Sequence, residues 1–153
     1  MKRAFEQIDV ECWDSGHQLG IARPEICLLH SRQGGGRVIL LAIEELAGEA
    51  PSSKRTLTFK PSPRKRGIST LRLRLVPSRA DLRVMSIARD TTTVTVEMTA
   101  TGLELLRDAI RCWCDGGEDF CVSPRHAELK ARELGAMDNA SGELWFWGPT
   151  MEP

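Results

Sequence analysis

The sequence predicts an α+β fold for its C-terminal half: a small, mostly antiparallel sheet with one main helix packed on one face, in the order β-β-α-β-β. One observation behind this is the alternation in residues 92–99, where Val94, Val96 and Met98 are separated by polar side chains. A period of two with β-branched residues is typical of a half-buried strand. Residues 81–89 read as a second strand, and Asp90-Thr91 between them predicts a hairpin turn.

The second observation is an amphipathic helix that follows this hairpin. Thr101 and Glu104 form a capping box at its start, in which each side chain can bond a free backbone N–H. Apolar residues then recur at three- and four-residue spacing, which gives one buried stripe made of Leu103, Leu106, Ile110 and Trp113. Residues 115–117 (DGG) end the helix, because glycine tolerates the left-handed cap.

Shorter elements complete the predicted domain. Residues 119–122 (DFCV) read as a strand, residues 124–134 as a polar helical turn, and residues 143–147 (ELWFW) as the last strand. The small α+β domain therefore spans 68–153, with its core in 85–149.

For residues 1–67 the sequence predicts a low-order extension, so that the N-terminal half is poorly structured. Residues 38–46 fit a short helix and residues 26–29 a short strand, but no partner for either is evident. Residues 54–67 (KRTLTFKPSPRKRG) hold two prolines and six bases and read as solvated coil. Residues 56–67 also resemble a peptide that arises when bacterial interspersed intergenic repeats are translated. That resemblance implies spurious N-terminal coding sequence and a natural start at Met85.

Composition limits the class of protein. The hydrophobic fraction is 41% and the formal net charge is zero, as in ordinary globular domains. The longest apolar run, residues 38–43, is far short of the roughly 20 residues needed to span a bilayer. No secretory signal is evident, so we expect a cytoplasmic protein without membrane association, whose five cysteines are reduced thiols.

The candidate chemical groups do not form a recognisable catalytic or metal site. Cys112 and Cys114 are two residues apart on a helix and would point to opposite sides, which does not suit a tetrahedral zinc site with Cys121 and His126. Cys121 and His126 could form a nucleophile–base pair, but their flanks match no nucleophile signature. We therefore predict no catalysis, no cofactor, no metal and no small-molecule substrate.

Charge is unevenly distributed. Residues 54–83 hold ten bases and one acid, whereas residues 84–153 hold six bases and twelve acids. A basic arm on an acidic body is one signature of nucleic-acid binding. As an alternative function we therefore consider a small nucleic-acid-binding protein that uses the basic span 54–83, with these candidate contacts: Lys54, Arg55, Lys60, Arg64, Lys65 and Arg66.

The last strand is apolar on both faces. Trp145 and Trp147 share one face and Phe146 takes the other. The sequence leaves open which of the two faces packs on the helix against Trp113. One main helix covers only one face of a sheet, so we expect one aromatic set to face a partner, either a second copy or another protein. Acidic residues nearby in sequence could rim this patch: Glu118, Asp119 and Glu143.

The order of these features resembles a known group of proteins. Residues 94–98, the helix start at 101–103, Gly116-Gly117, the strand at 119–122 and residues 141–145 (SGELW) together resemble the small α+β immunity proteins of bacterial polymorphic toxin systems. The resemblance implies a non-catalytic protein-binding module that binds and blocks a cognate toxin. The acid excess of residues 84–153 would suit a basic toxin.

Overall fold

A computed structural model describes residues 7–8, 10–15, 25–30, 36–61, 64, 66–77, 85–116, 120–122 and 143–147. Two helices and nine strands lie within these ranges. In chain order they are β1 (Gln7–Ile8), β2 (Val10–Asp14), β3 (Glu25–His30), α1 (Arg37–Ala47), β4 (Lys54–Phe59), β5 (Thr70–Leu75), β6 (Met85–Asp90), β7 (Thr93–Met98), α2 (Ala100–Gly116), β8 (Phe120–Val122) and β9 (Glu143–Trp147).

The strands form two sheets. A five-stranded sheet has the order β1-β4-β5-β7-β6, and a four-stranded sheet has the order β2-β3-β9-β8. Four of the seven adjacent pairs among the described strands are antiparallel, and β1–β4, β3–β9 and β5–β7 are parallel. The α+β class and the mostly antiparallel pairing are confirmed. The single small sheet is not, because β6 and β7 belong to one sheet whereas β8 and β9 belong to the other.

The inner face of the five-stranded sheet follows from the alternation in its sequence. Every second residue of β5 and β7 is apolar, as are the first two such residues of β6, which Arg89 follows. All of these apolar residues are buried: Leu71, Leu73, Leu75, Met85, Ile87, Val94, Val96 and Met98. The residues between them, including Arg72, Arg74 and Thr95, are exposed or only partly buried. The two-residue period thus sorts each strand into a core face and a polar face, as the alternation at residues 94–98 predicted.

Helix α2 buries the predicted stripe of Leu103, Leu106, Ile110 and Trp113, each at most 2% exposed. Its cap differs from the prediction. The helix begins at Ala100, and the Thr99 hydroxyl accepts a hydrogen bond from the Gly102 N–H at 3.3 Å. Thr99, not Thr101, is therefore the N-cap, bonding the third helical residue. Both threonines suit a cap, and the end of β7 at Met98 decides between them.

Helix α1 packs beside α2 and buries Ile39, Ala42, Ile43 and Leu46. The two helices are also linked by an ion pair between Arg111 and Glu44, 3.6 Å apart. The stripe on α1 has the same three- and four-residue spacing as that on α2, so both helices turn an apolar side to the common core.

The poorly structured N-terminal half is not confirmed for the described residues. Strand β3 pairs with β2 and β9, which sequence reasoning did not foresee because β9 lies more than 100 residues away. Residues 54–59, read as coil, form β4, which pairs with β5. Phe59 at the end of β4 is 1% exposed, because its ring belongs to the core.

The buried apolar residues form one core cluster, to which both sheets and both helices contribute. The pairing of β4 with β5 crosses the predicted domain boundary at residues 67 and 68. The domain limits themselves stay a prediction that a truncation experiment can test. The predicted helical turn at 124–134 lies outside the described residues, as do residues 81–84 at the start of the predicted first strand.

The two sheets are joined at one side. Strand β2 lies beside the segment that leads into β5: the Asp14 N–H donates to the Arg66 carbonyl, and the Ile68 N–H to the Cys12 carbonyl, both at 2.9 Å. The buried Asp14 carboxylate also accepts a hydrogen bond from Arg89 of β6 at 2.9 Å. Backbone and side-chain bonds thus fix one sheet against the other. Neither described helix is long and apolar enough to cross a membrane.

Candidate interaction surface

The outer face of the four-stranded sheet carries an aromatic row. The register places Cys12, Leu28 and Phe146 side by side, and all three belong to the core cluster. The next row consists of Trp13, Cys27 and Trp145, and successive residues of a strand point to opposite faces. This second row therefore lies on the opposite face of the sheet, where Trp13 and Cys27 are nevertheless buried and Trp145 is partly exposed. We call the face that holds Trp13, Cys27, Leu29 and Trp145 the aromatic face.

A cation already sits on this face. The Arg64 guanidinium carbon lies 4.2 Å from the centroid of a Trp13 ring, within the range of a cation–π contact. The Arg64 Nε also donates a hydrogen bond to a carboxylate oxygen of Glu11 at 2.9 Å. Glu11 lies two residues before Trp13 in β2. Trp13 is only 5% exposed. An indole and a carboxylate two residues apart thus hold one guanidinium by stacking and by charge.

Trp145 keeps part of its surface exposed, as does Leu29. In register, Glu25 pairs with Glu143 and Leu29 with Trp147, on either side of the Cys27–Trp145 pair. Glu25 is partly exposed. The side chains of Glu143 and Trp147 lie outside the described part of the chain, as do residues Glu118 and Asp119.

Phe146, the third aromatic residue of β9, lies in the core. It is 1% exposed, and its ring centroid is 5.0 Å from that of Trp113 with the planes tilted by 57°. Tilted rings at this separation are a favourable aromatic pair. The face of β9 that packs on Trp113 is therefore the one that holds Phe146, and this side chain is not accessible to a partner in the structure.

The structure separates the candidate nucleic-acid residues. Lys54, Lys60 and Arg66 are exposed, Arg64 is engaged by Glu11 and Trp13, and Lys65 lies outside the described residues.

Strand alternation turns Arg55 to the side opposite Lys54, where it pairs with Glu49, two residues beyond the end of α1, and lies 4.0 Å from Glu45 of that helix. The hydrogen bond from Arg55 is the main cause that lowers the pKa of Glu49, and the same bond raises the pKa of Arg55. The five candidates within the described residues therefore do not form one cationic surface.

The cysteines show no convergence among the described side chains. Cys12 lies in the core, where burial, followed by the nearby Cys27, Asp14 and Glu11, raises the pKa of its thiol well above the usual value. A raised pKa keeps a thiol protonated and unreactive at neutral pH.

Cys112 is exposed on α2 and Cys114 is partly buried. The side chain of Cys121 and all of His126 lie outside the described residues. Within those ranges, no three His, Cys, Asp or Glu side chains are grouped as metal ligands. The absence of a metal and of catalysis stays a prediction.

Comparisons with known proteins identify nothing similar. No protein family, curated protein or solved structure matches this chain. A function has to be inferred from the side chains and their geometry.

Sequence reasoning missed Trp13 and Glu11 as parts of a site. A usable signal was present in β2 (VECWD), where an acid and a tryptophan alternate with apolar Val10 and Cys12. The contribution of Arg64 could not be seen, because it lies 53 residues from Glu11 in the chain. Only the fold brings the two together.

Proposed function

We propose that the chain is a non-catalytic protein-binding module, immunity-like in kind, that binds a partner through the aromatic face. The observation that carries the proposal is the partly exposed Trp145, which lies in one cross-strand row with Trp13 and its bound guanidinium. Tryptophan and arginine are the residues most enriched at binding hot spots. A partly exposed indole on an otherwise covered apolar face is the kind of group that a partner covers.

The charges on this face favour a basic partner. Glu11 and Glu25 are partly exposed near the indoles, and the Trp13–Glu11 pair holds the guanidinium of Arg64. An arginine from a partner could therefore stack on Trp145 as Arg64 stacks on Trp13. Cation–π contacts contribute about 0.5 kcal/mol at exposed sites and about 2 kcal/mol when water is excluded. This chemistry agrees with the acid excess of residues 84–153 and with a basic toxin as the partner.

Affinity purification from the source cells tests the proposal with three baits: the natural chain, Trp145→Ala and Leu41→Ala. Leu41 is the matched control, because it is a large apolar side chain that is 47% exposed on α1, away from the aromatic face. Candidate partners include the product of a neighbouring toxin gene. The best-enriched protein is then purified, and its Kd for each bait is measured by calorimetry.

Truncation of a hot-spot tryptophan makes the free energy of binding less favourable by at least about 2 kcal/mol, so we expect Trp145→Ala to raise the Kd roughly 30-fold. Leu41→Ala should bind as the natural chain does, and circular dichroism should show that both variants are folded. A partner whose Kd is unchanged by Trp145→Ala would place the interface elsewhere. A purified chain that turns over a substrate would overturn the non-catalytic assignment.

A further inference from the structure

The outer face of the five-stranded sheet is polar and carries exposed cations. Strand alternation leaves Lys54 of β4 and Arg72 and Arg74 of β5 on this face, all three exposed. Their neighbours on the same face are mainly hydroxyl side chains: Thr56, Thr58, Thr70, Thr93, Thr95 and Ser86. We call the surface formed by Lys54, Arg72 and Arg74 the basic face.

The strand register brings the three cations close together. Lys54 lies directly opposite Arg74, and Arg72 lies between Thr56 and Thr95. Directly opposed residues on one face have Cβ atoms roughly 5 Å apart, and like charges in such a pair are destabilising. Arg72 and Arg74 are two residues apart on one strand, hence roughly 7 Å. An anion bound at this face would offset that repulsion.

Few carboxylates neutralise this cluster. Arg74 lies 3.3 Å from Glu97 of β7, but in the described part of the chain Lys54 and Arg72 form no ion pair. Asp90 is on the same face at the far end of β6. The contrast with other arginines is clear, because each of the following pairs with a carboxylate: Arg55, Arg64, Arg89 and Arg111.

We propose that the basic face binds the phosphodiester backbone of nucleic acid. A guanidinium group can donate two parallel hydrogen bonds to one phosphate, and threonine hydroxyls beside it can donate further hydrogen bonds. The face lacks the apolar anchors that the centre of a protein–protein interface requires, since Ala88 is its one apolar side chain among the described residues of β4 to β7. Backbone phosphates need cations and hydroxyl donors but no such anchors.

Two properties of binding follow. No described aromatic side chain of β4 to β7 lies on this face, so bases have nothing to stack on and recognition is independent of sequence. Lys54 and Arg72, the two cations of the basic face that have no ion pair among the described residues, predict that log K falls linearly with log salt, with a slope of about −1.4 for a single strand and about −1.8 for a duplex. The site is on a different sheet from the aromatic face, so the inference does not depend on the proposed protein-binding function.

Fluorescence anisotropy of the full chain with a labelled oligothymidylate and a labelled mixed-sequence duplex tests the inference, over about 50 to 200 mM salt. The test variant is Arg72→Gln. The matched control is Arg111→Gln, which removes the same charge from a half-exposed arginine on α2. We expect Arg72→Gln to weaken binding severalfold at the lowest salt and to reduce the slope by about 0.7 to 0.9, with the control unchanged.

Three results would overturn the inference. One is the absence of binding to both nucleic acids at the lowest salt. Another is an equal loss for Arg72→Gln and Arg111→Gln, which would mean that net charge alone attracts the ligand. The third is equally tight, Arg72-dependent binding of a polyglutamate peptide, which would identify an acidic protein segment as the partner. Thermal unfolding of both variants establishes that each compared protein is folded.

Discussion

Replacement of Phe146 by alanine should be among the most destabilising single changes in this protein. The ring is 1% exposed, packs on Trp113 at a centroid distance of 5.0 Å, and borders a small apolar cavity also lined by Leu28 and Leu106. Truncation of a buried phenylalanine costs about 3 to 5 kcal/mol, and the existing cavity would be enlarged, not filled. We expect a loss of about 4 kcal/mol, a large share of the 5 to 15 kcal/mol typical of a domain.

Urea unfolding followed by far-ultraviolet circular dichroism measures this loss, because that signal does not depend on the altered surroundings of Trp113. Leu41→Ala, at a 47% exposed position, should change the free energy of unfolding by less than about 1 kcal/mol. A double-mutant cycle with Trp113→Leu and Phe146→Leu should give a coupling of about 0.5 to 1.5 kcal/mol. A loss below about 1 kcal/mol for Phe146→Ala at an unchanged m value would refute the burial of the ring and restore Phe146 as a partner-binding candidate.

Three other expectations follow from the fold. Removal of residues 1–67 deletes β1 to β4 and α1 and uncovers apolar side chains such as Leu71 and Leu73. The remaining fragment should therefore show no cooperative thermal unfolding. A fragment that melts cooperatively would instead support the predicted domain at 68–153. The pKa of the Cys12 thiol is raised in the folded chain, so the unfolded chain loses this proton first as pH rises. The contribution of Cys12 to the free energy of unfolding should therefore be fully present at neutral pH and fall above about pH 8.5. Cys12→Ala should lack this part of the pH dependence in urea unfolding, and an aromatic disulfide reagent at pH 8 should modify Cys112 before Cys12, as peptide mapping would show.

The elements that the sequence predicted well are those whose signals are local. The period in residues 93–98 and the apolar stripe of α2 decide which side of each element is buried, whatever packs against it. The start of α2 was displaced by two residues because Thr99 and Thr101 are chemically equivalent caps. In such cases local chemistry fixes that an element exists, and the neighbouring strand fixes where it begins.

The pairing of β3 and β4 could not be predicted from local signals. Residues 26–29 are apolar without a clear period, and β3 is a central strand only because distant β9 pairs with one of its edges while β2 pairs with the other. In β4, the alternation of Leu57 and Phe59 is short and runs into a proline-rich basic segment, so charge obscured the strand.

The candidate surfaces could not be predicted either, because residues distant in sequence form them. Composition indicated that the basic span could bind an anion, but not which of its cations are already neutralised. Arg55 pairs with Glu49 and Arg64 with Glu11, whereas Arg72 on the adjacent strand has no such pair among the described residues. Ion pairs between elements, which sequence spacing does not encode, therefore decide which cations can serve a ligand.

The parallel pairing of β3 with β9 has a consequence for biosynthesis. Glu25 pairs with Glu143, so 143 − 25 = 118 residues separate the two strands in the chain. At about 5 to 20 residues per second, β3 emerges from the ribosome roughly 6 to 24 s before the strand that completes its sheet. Contacts of such high sequence separation also slow folding after release. During that interval β3 has only β2 beside it, so the backbone groups of its other edge are unpaired, and this is the period in which a nascent chain of this fold most needs protection by a chaperone.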